Sequence, residues 1–399
     1  MVEKVKQIIK RRHFWRTVGF DELSELYATQ LLRSLSISLV GLFVPIYLYK
    51  SGFSIAAICG MFFVWTLIRP LWSWLGAKLI GWYGPKHTMA IAVFVQIAYL
   101  TLILTINELH WPLWLVGVVG SFCYGVYLMA FEVDFSKIKH SEHGGKELGY
   151  MQMFERLGAV LGPVVGGLIA TFIDPRFTIA IAIFVLCASL VPIFLSAEPV
   201  RQHQVVIVKG FPWRRHRRDI FVSSAFALEN VVSITVWPLF LGVFVITANT
   251  YAALGLLTAI STAVAFLAIF AIGKLIDDNH GKLLLNIGAY ANAVLHIARI
   301  FVVTPIQALF VNLINEPLTA MYRMPFLKGR YDAADSVPGY RITYFMLIDM
   351  FLTVGNVIFW GTMMVIATTI SDKTALQFAF VMGAFLSILI TKQKFAALR

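Results

Sequence analysis

Ten ionisable residues stand inside or at the edges of long apolar runs of this chain: Arg33, Arg69, Glu155, Arg156, Glu229, His296, Arg299, Glu316, Arg323 and Asp349. Acids and bases held away from water can exchange protons, clasp a charged ligand, or pair with one another. The densest pattern is Asn312, Glu316, Thr319 and Arg323, at i, i+4, i+7 and i+11, which a helix aligns as one polar stripe. Glu229 and Glu316 fall near the middle of their runs, where a desolvated carboxyl group can exchange protons near neutral pH. Asp349 shares a helical face with Asn356 and is a third proton-exchange candidate. Arg33 can neutralise an anionic ligand or a carboxylate. Arg69, Glu155 and Arg156 read as an ion-pair network, and His296 with Arg299, one turn apart, as structural. Glu132 and Asp134 close an apolar run as a solvated end. His140 and His143 form a spacing too sparse for a metal site, so none is expected.

Other chemistries find no support. The chain has no Gly-x4-Gly-Lys-Ser/Thr phosphate loop, no Gly-x-Ser-x-Gly elbow and no His-Glu-x-x-His helix. Its three cysteines, Cys59, Cys123 and Cys187, lie far apart in apolar runs and form neither a disulfide framework nor a metal cluster. No cofactor and no enzymatic activity are expected.

The elements that hold these charges must be membrane helices. Of 399 residues, 59% are hydrophobic and 14% charged, against about 45–50% and 25% in soluble domains. A charge facing lipid costs about 2.5–3.5 kcal/mol. Ten of them would exceed the roughly 5–15 kcal/mol that holds a protein together, so they must face one another, water or a ligand.

Twelve apolar runs are long enough to span a bilayer: 27–47, 53–80, 88–106, 112–131, 151–173, 179–195, 220–246, 252–276, 283–303, 306–326, 342–366 and 375–390. With both termini in the cytoplasm, 24 of the 33 Lys and Arg fall in cytoplasmic segments, and only Lys50, Arg176 and Lys373 fall outside. The net charge of +12 is therefore a topology signal and no sign of nucleic-acid binding. The expected organisation is an amphipathic interfacial segment (1–18), a six-helix bundle (19–197), a basic linker (198–218) containing FPWRRHRR, a second six-helix bundle (219–392) and a tail (393–399). The basic segments read as anchors on anionic membrane lipids.

A repeat supports the halving. Lys78-Leu-Ile-Gly-Trp-Tyr-Gly-Pro-Lys86 aligns without a gap on Lys274-Leu-Ile-Asp-Asp-Asn-His-Gly-Lys282, 196 residues on. Twelve spans, a long basic central loop and this short loop after helices 2 and 8 resemble the major facilitator superfamily. Gly273, Leu275 and Asp277 fit that family's loop pattern, whereas Gly81 stands in the first copy where the second has Asp277. In that family the acid at this place helps latch the two halves together, so its loss implies either that the latch is absent or that another contact has taken it over. Helix 5 carries Gly149, Gly158, Gly162, Pro163, Gly166 and Gly167, a pattern similar to the motif of drug/proton antiporters. Such glycines admit close backbone approach.

The resemblance implies an all-α integral membrane fold of two pseudo-symmetric six-helix bundles, working as a monomer in the cell membrane by alternating access. It implies that helices 1, 4, 7 and 10 line a cavity, so that Arg33, Tyr124, Tyr127, Glu229, Asn312, Glu316 and Arg323 touch cargo. Without an ATPase, an ion gradient must supply the energy; one proton through 100 mV provides about 2.3 kcal/mol. The expected activity is proton-coupled export of an amphipathic or lipophilic small molecule. Movement of a lipid or lysolipid between leaflets, and proton-coupled uptake of a sugar, are the alternatives.

Overall fold

The computed structural model describes residues 22–138, 144–195, 206–276, 280–337 and 339–395. The leader, the first part of the basic linker (198–205), Asp277 and the His140–His143 segment lie outside these residues. Helices run in the order α1 (Ser24–Lys50), α2 (Ile55–Tyr83), α3 (Pro85–Leu104), α4 (Leu113–Ile138), α5 (Gly144–Phe172) and α6 (Pro175–Ile193) before the linker. After it come α7 (Trp213–Val245), α8 (Thr250–Leu275), α9 (Gly281–Arg299), α10 (Pro305–Asp335), α11 (Arg341–Thr369) and α12 (Asp372–Ile390).

Local chemistry sets the ends. Ser54, Asp174, Thr304 and Ser371 cap α2, α6, α10 and α12, each side chain accepting from a backbone N–H two or three residues on. All four caps lie at the end of the molecule remote from the linker, here the far end. At the linker end Gly84, with φ +87°, stops α2, and Pro85 opens α3 directly after it.

Two helices are irregular for a stated reason. In α1 the helix breaks at residues 41–43 and resumes at Val44; Pro45 has no N–H to give the Gly41 carbonyl. In α7, π-helical turns at Val232–Val236 and Leu241–Val245 flank the stretch that holds Pro238.

Among the described residues, nine segments are long and apolar enough to cross a membrane: α1 to α7, α11 and α12. The stretch Thr250–Ala265 of α8 is apolar but shorter. α9 and α10 fall short because their polar side chains, described below, point into the protein. Hydropathy counts those residues as if they met lipid.

Packing joins as well as separates the halves. Before the linker α5 packs on α1, and α4 on α2 and α3; after it α9 packs on α10 and α12. Across the boundary α5 packs on α8 and α2 on α11. One apolar core at the linker end contains Tyr127, Phe131 and Phe135 together with Tyr331, Tyr344 and Phe345. A second at the far end unites Phe43, Ile46 and Ile55 with Trp237, Phe240 and Trp360. Side chains of the two halves thus meet near both ends.

Candidate functional site

Ion pairs cross the boundary between the halves. Arg156 of α5 donates from Nη1 to Glu316 Oε2 of α10 at 2.6 Å. Its neighbour Glu155 receives Arg323 Nη2 of α10 at 3.4 Å. Arg69 of α2 donates from Nε and Nη2 to Asp349 Oδ1 of α11 at 2.9 and 2.6 Å, and Ser73 donates to Oδ2. At the linker end Arg330 of α10 pairs with Glu132 of α4. Charges that would be costly in lipid are thus neutralised where the halves touch. Glu316 keeps 24% of its side chain exposed and has one partner among the described residues, Arg156.

Arg69 and Ser73 of α2 thus grip an acid on α11, a contact between the same two halves that the acid missing at Gly81 was expected to hold.

Arg33 is held differently. Its guanidinium lies 3.6 Å from the Tyr127 ring centroid and 5.8 Å from that of Tyr124, both on α4. It is only 8% exposed, and among the described residues it takes part in no ion pair and its buried Nε has no acceptor. From Tyr127 a row of stacked rings continues one turn at a time through Phe131 to Phe135, which meets Tyr331 of α10 edge-on.

Glu229, expected on a central cavity, lies inside the second half and is 0% exposed. Oε1 accepts from Ser233 at 2.8 Å, from Asn292 at 2.9 Å and from His296 Nε2 at 3.1 Å; Oε2 accepts from Tyr322 at 2.6 Å. Arg299 donates from Nη1 to Ser233 and to His296 Nδ1, and from Nη2 to Asn315. With Nδ1 accepting from an arginine, the proton of the neutral imidazole belongs on Nε2, facing Glu229. Four donors converge on one carboxylate from α7, α9 and α10. Asn312 of α10 also meets α7, its Oδ1 accepting from Trp237 Nε1 at 2.6 Å.

The expected stripe on α10 therefore divides. Glu316 and Arg323 face α5 of the other half, whereas Asn312 turns toward α7. Asn315 and Tyr322, which that stripe omitted, meet α9 and α7. Asn292, also missed, had a signal: it stands at i where His296 and Arg299, expected to be structural, stand at i+4 and i+7 on α9. Glu132 also has a partner, where a solvated end was expected.

The glycines of α5 serve two neighbours. A Cβ at Gly158, Gly162 or Gly166 would lie 2.3–2.6 Å from atoms of α1, at Leu35, Ser38 and Leu39 respectively. A Cβ at Gly167 would strike the Tyr251 carbonyl of α8, and one at Gly255 of α8 would strike the Pro163 carbonyl. Gly149 lies in α5 and Gly273 in α8, their surroundings outside the described residues.

Comparison with known proteins bears on the fold. No family model matches the chain. It is 24% identical over 353 residues to an uncharacterized protein, YqgE, of Bacillus subtilis, covering 82% of this chain and 78% of that one. Among solved structures it superimposes on the Escherichia coli fucose:proton symporter FucP with a TM-score of 0.66 at 14% identity, over 92% of this chain and 96% of the other. FucP in an outward conformation, described as a major facilitator superfamily transporter, gives 0.67 at 14%, over 93% and 97%. The nucleoside transporter NupG gives 0.64 at 14%, over 93% and 98%. The chain has the fold of the major facilitator superfamily transporters.

Proposed function

We propose that the protein is a proton-coupled secondary transporter that moves an amphipathic small molecule by alternating access. Its twelve helices span the cell membrane as two six-helix bundles, with both termini in the cytoplasm. The observation that carries this reading is the set of ion pairs crossing between the halves. Each is held in a boundary that must part and re-form if the bundles rock, so each can be traded for water, a proton or cargo.

Glu316 is the proton-coupling carboxylate in this reading. It has one partner, on the opposite half, and retains exposure; Glu229 is saturated by four donors and sealed. When α5 withdraws Arg156, Glu316 loses its counter-charge and takes up a proton. Asp349, with Arg69 and Ser73, is the latch. The glycine pattern of α5 supports exchange of cargo for protons, and its contacts place α5 against α1 and α8 at once. The likeness in fold to a fucose:proton symporter supports a second reading, in which proton and a polar cargo travel together.

Proteoliposomes loaded with a pH-sensitive dye test the proposal. Cargo-dependent collapse of an imposed pH gradient is expected, with its sign separating exchange from co-transport. Glu316→Gln should abolish it. A variant that still couples fully removes Glu316 from the mechanism.

A further inference from the structure

Arg33 stands apart from the other arginines at its depth. Arg69, Arg156 and Arg323 are each held by a carboxylate, and Arg299 by three hydrogen bonds beside Glu229. Among the described residues Arg33 has the faces of Tyr127 and Tyr124 and no carboxylate, and its Nε has no acceptor. The Tyr127 hydroxyl is likewise buried without a partner. Two adjacent groups, both donors, are thus left unanswered in a region where unpaired polar atoms are costly.

The surroundings say what would answer them. The Tyr127 face fixes the guanidinium from one side and leaves its edge to a planar acceptor. Tyr124 lies 5.4 Å from Trp65, Trp65 6.0 Å from Phe62, and Phe62 stacks at 4.6 Å on Trp360 of the other half. An aromatic run therefore leads from the guanidinium across the boundary, and the row from Tyr127 to Tyr331 leads from it to the linker end.

We infer that Arg33 is the counter-ion of the cargo: the transported molecule carries a carboxylate or phosphate that pairs with Arg33 and accepts from Tyr127, and an apolar body that lies along the aromatic run. This rests on the transporter reading and gives it a substrate class, an amphipathic anion. A free organic acid and an acidic lipid headgroup share that chemistry.

The test uses the full chain in detergent. Melting temperature is followed with indole-3-acetate, with its uncharged relative indole-3-acetamide, and with oleoyl lysophosphatidate. Stabilisation by at least one of the two anions and none by the amide is expected; which anion acts identifies a soluble acid or a lipid as the source. Arg33→Met should weaken anion binding at least about 30-fold, the smallest loss usual for removing one side of a buried charge pair. Because Arg33 has no protein carboxylate to abandon, the ligand-free variant should melt no lower than the parent. A marked fall in its melting temperature would assign Arg33 to holding α1 against α4 and overturn the inference. So would equal stabilisation by the amide, anion binding that survives in Arg33→Met, or no response to either anion. Anion binding that depends on Arg33, without flux in proteoliposomes, would leave the site standing and remove the transporter reading instead.

Discussion

Arg156 and Glu316 meet at 2.6 Å although 160 residues separate them in the chain. The next residue, Glu155, reaches the same helix two turns further along, at Arg323. Two neighbours of opposite sign on α5 thus grip two residues of opposite sign on α10. This double clasp fixes both the distance between the halves and their register.

Charge reversal tests the clasp. Glu316→Arg alone places two arginines together and should cost about 1–3 kcal/mol, less than a fully buried pair because part of Glu316 is wet. Arg156→Glu should do the same. The exchanged pair, Arg156→Glu with Glu316→Arg, should recover most of the loss in melting temperature. A double variant no better than the sum of the singles would show that the two residues do not act on each other.

The latch predicts a population change. Asp349→Asn weakens the Arg69 and Ser73 contacts and should favour separation at the linker end, about tenfold for each 1.4 kcal/mol removed. Spin labels at the exposed positions Trp82 and Ser336 report it, with the exposed Cys187 replaced by serine. A longer distance should gain weight in the variant. An unchanged distribution would relieve Asp349 of that role.

Glu229→Gln should behave unlike Glu316→Gln. A glutamine at 229 presents an NH₂ to donors that all require an acceptor, so the second half should lose about 2–4 kcal/mol. The fraction that folds should still couple protons. For Glu316→Gln, melting should change little and coupling should vanish. Melting curves and gradient collapse measured on the same two preparations separate structural acid from coupling acid.

The glycine contacts make a size prediction. Gly162→Ala sets a Cβ 2.3 Å from Ser38 Cβ and should cost about 1–3 kcal/mol by overpacking. Gly355→Ala meets nothing nearer than 3.8 Å and should be neutral or stabilising, by up to about 1 kcal/mol, since alanine favours the helix. Melting temperature in detergent checks both. In Gly383→Ala the new Cβ would come 2.8 Å from the His296 ring, so the Glu229 network should suffer with it.

Much of the architecture was legible because hydrocarbon imposes a simple rule: an apolar run of about 20 residues must be a helix. The runs beginning near Tyr27, Thr88 and Ala375 each became a helix close to the expected limits. The candidate charges were legible for the same reason, since ionisable residues are rare in such runs. Their partners were not. Nothing local tells Arg69 that its acid is Asp349, 280 residues on, because that choice is made by the angle at which α2 crosses α11. Glu229 and Glu316 look equivalent in sequence, each a carboxylate in mid-run. Rotation of the helix about its own axis separates them, one turned into its bundle and the other toward the opposite half. The setting of Arg33 was hidden for the converse reason, since it depends on acids such as Glu316 and Asp349 having met other arginines.

The four crossing pairs carry one more consequence. The first half contributes Arg69, Arg156, Glu132 and Glu155; the second contributes Asp349, Glu316, Arg323 and Arg330. Across these pairs each half supplies two cations and two anions. Parting them therefore leaves no net charge from them on either half, and Arg33 stands as the charge in the first half that these pairs do not balance. An anion seated on Arg33 would complete that balance, so the voltage sensitivity of turnover should differ between the loaded and the empty carrier.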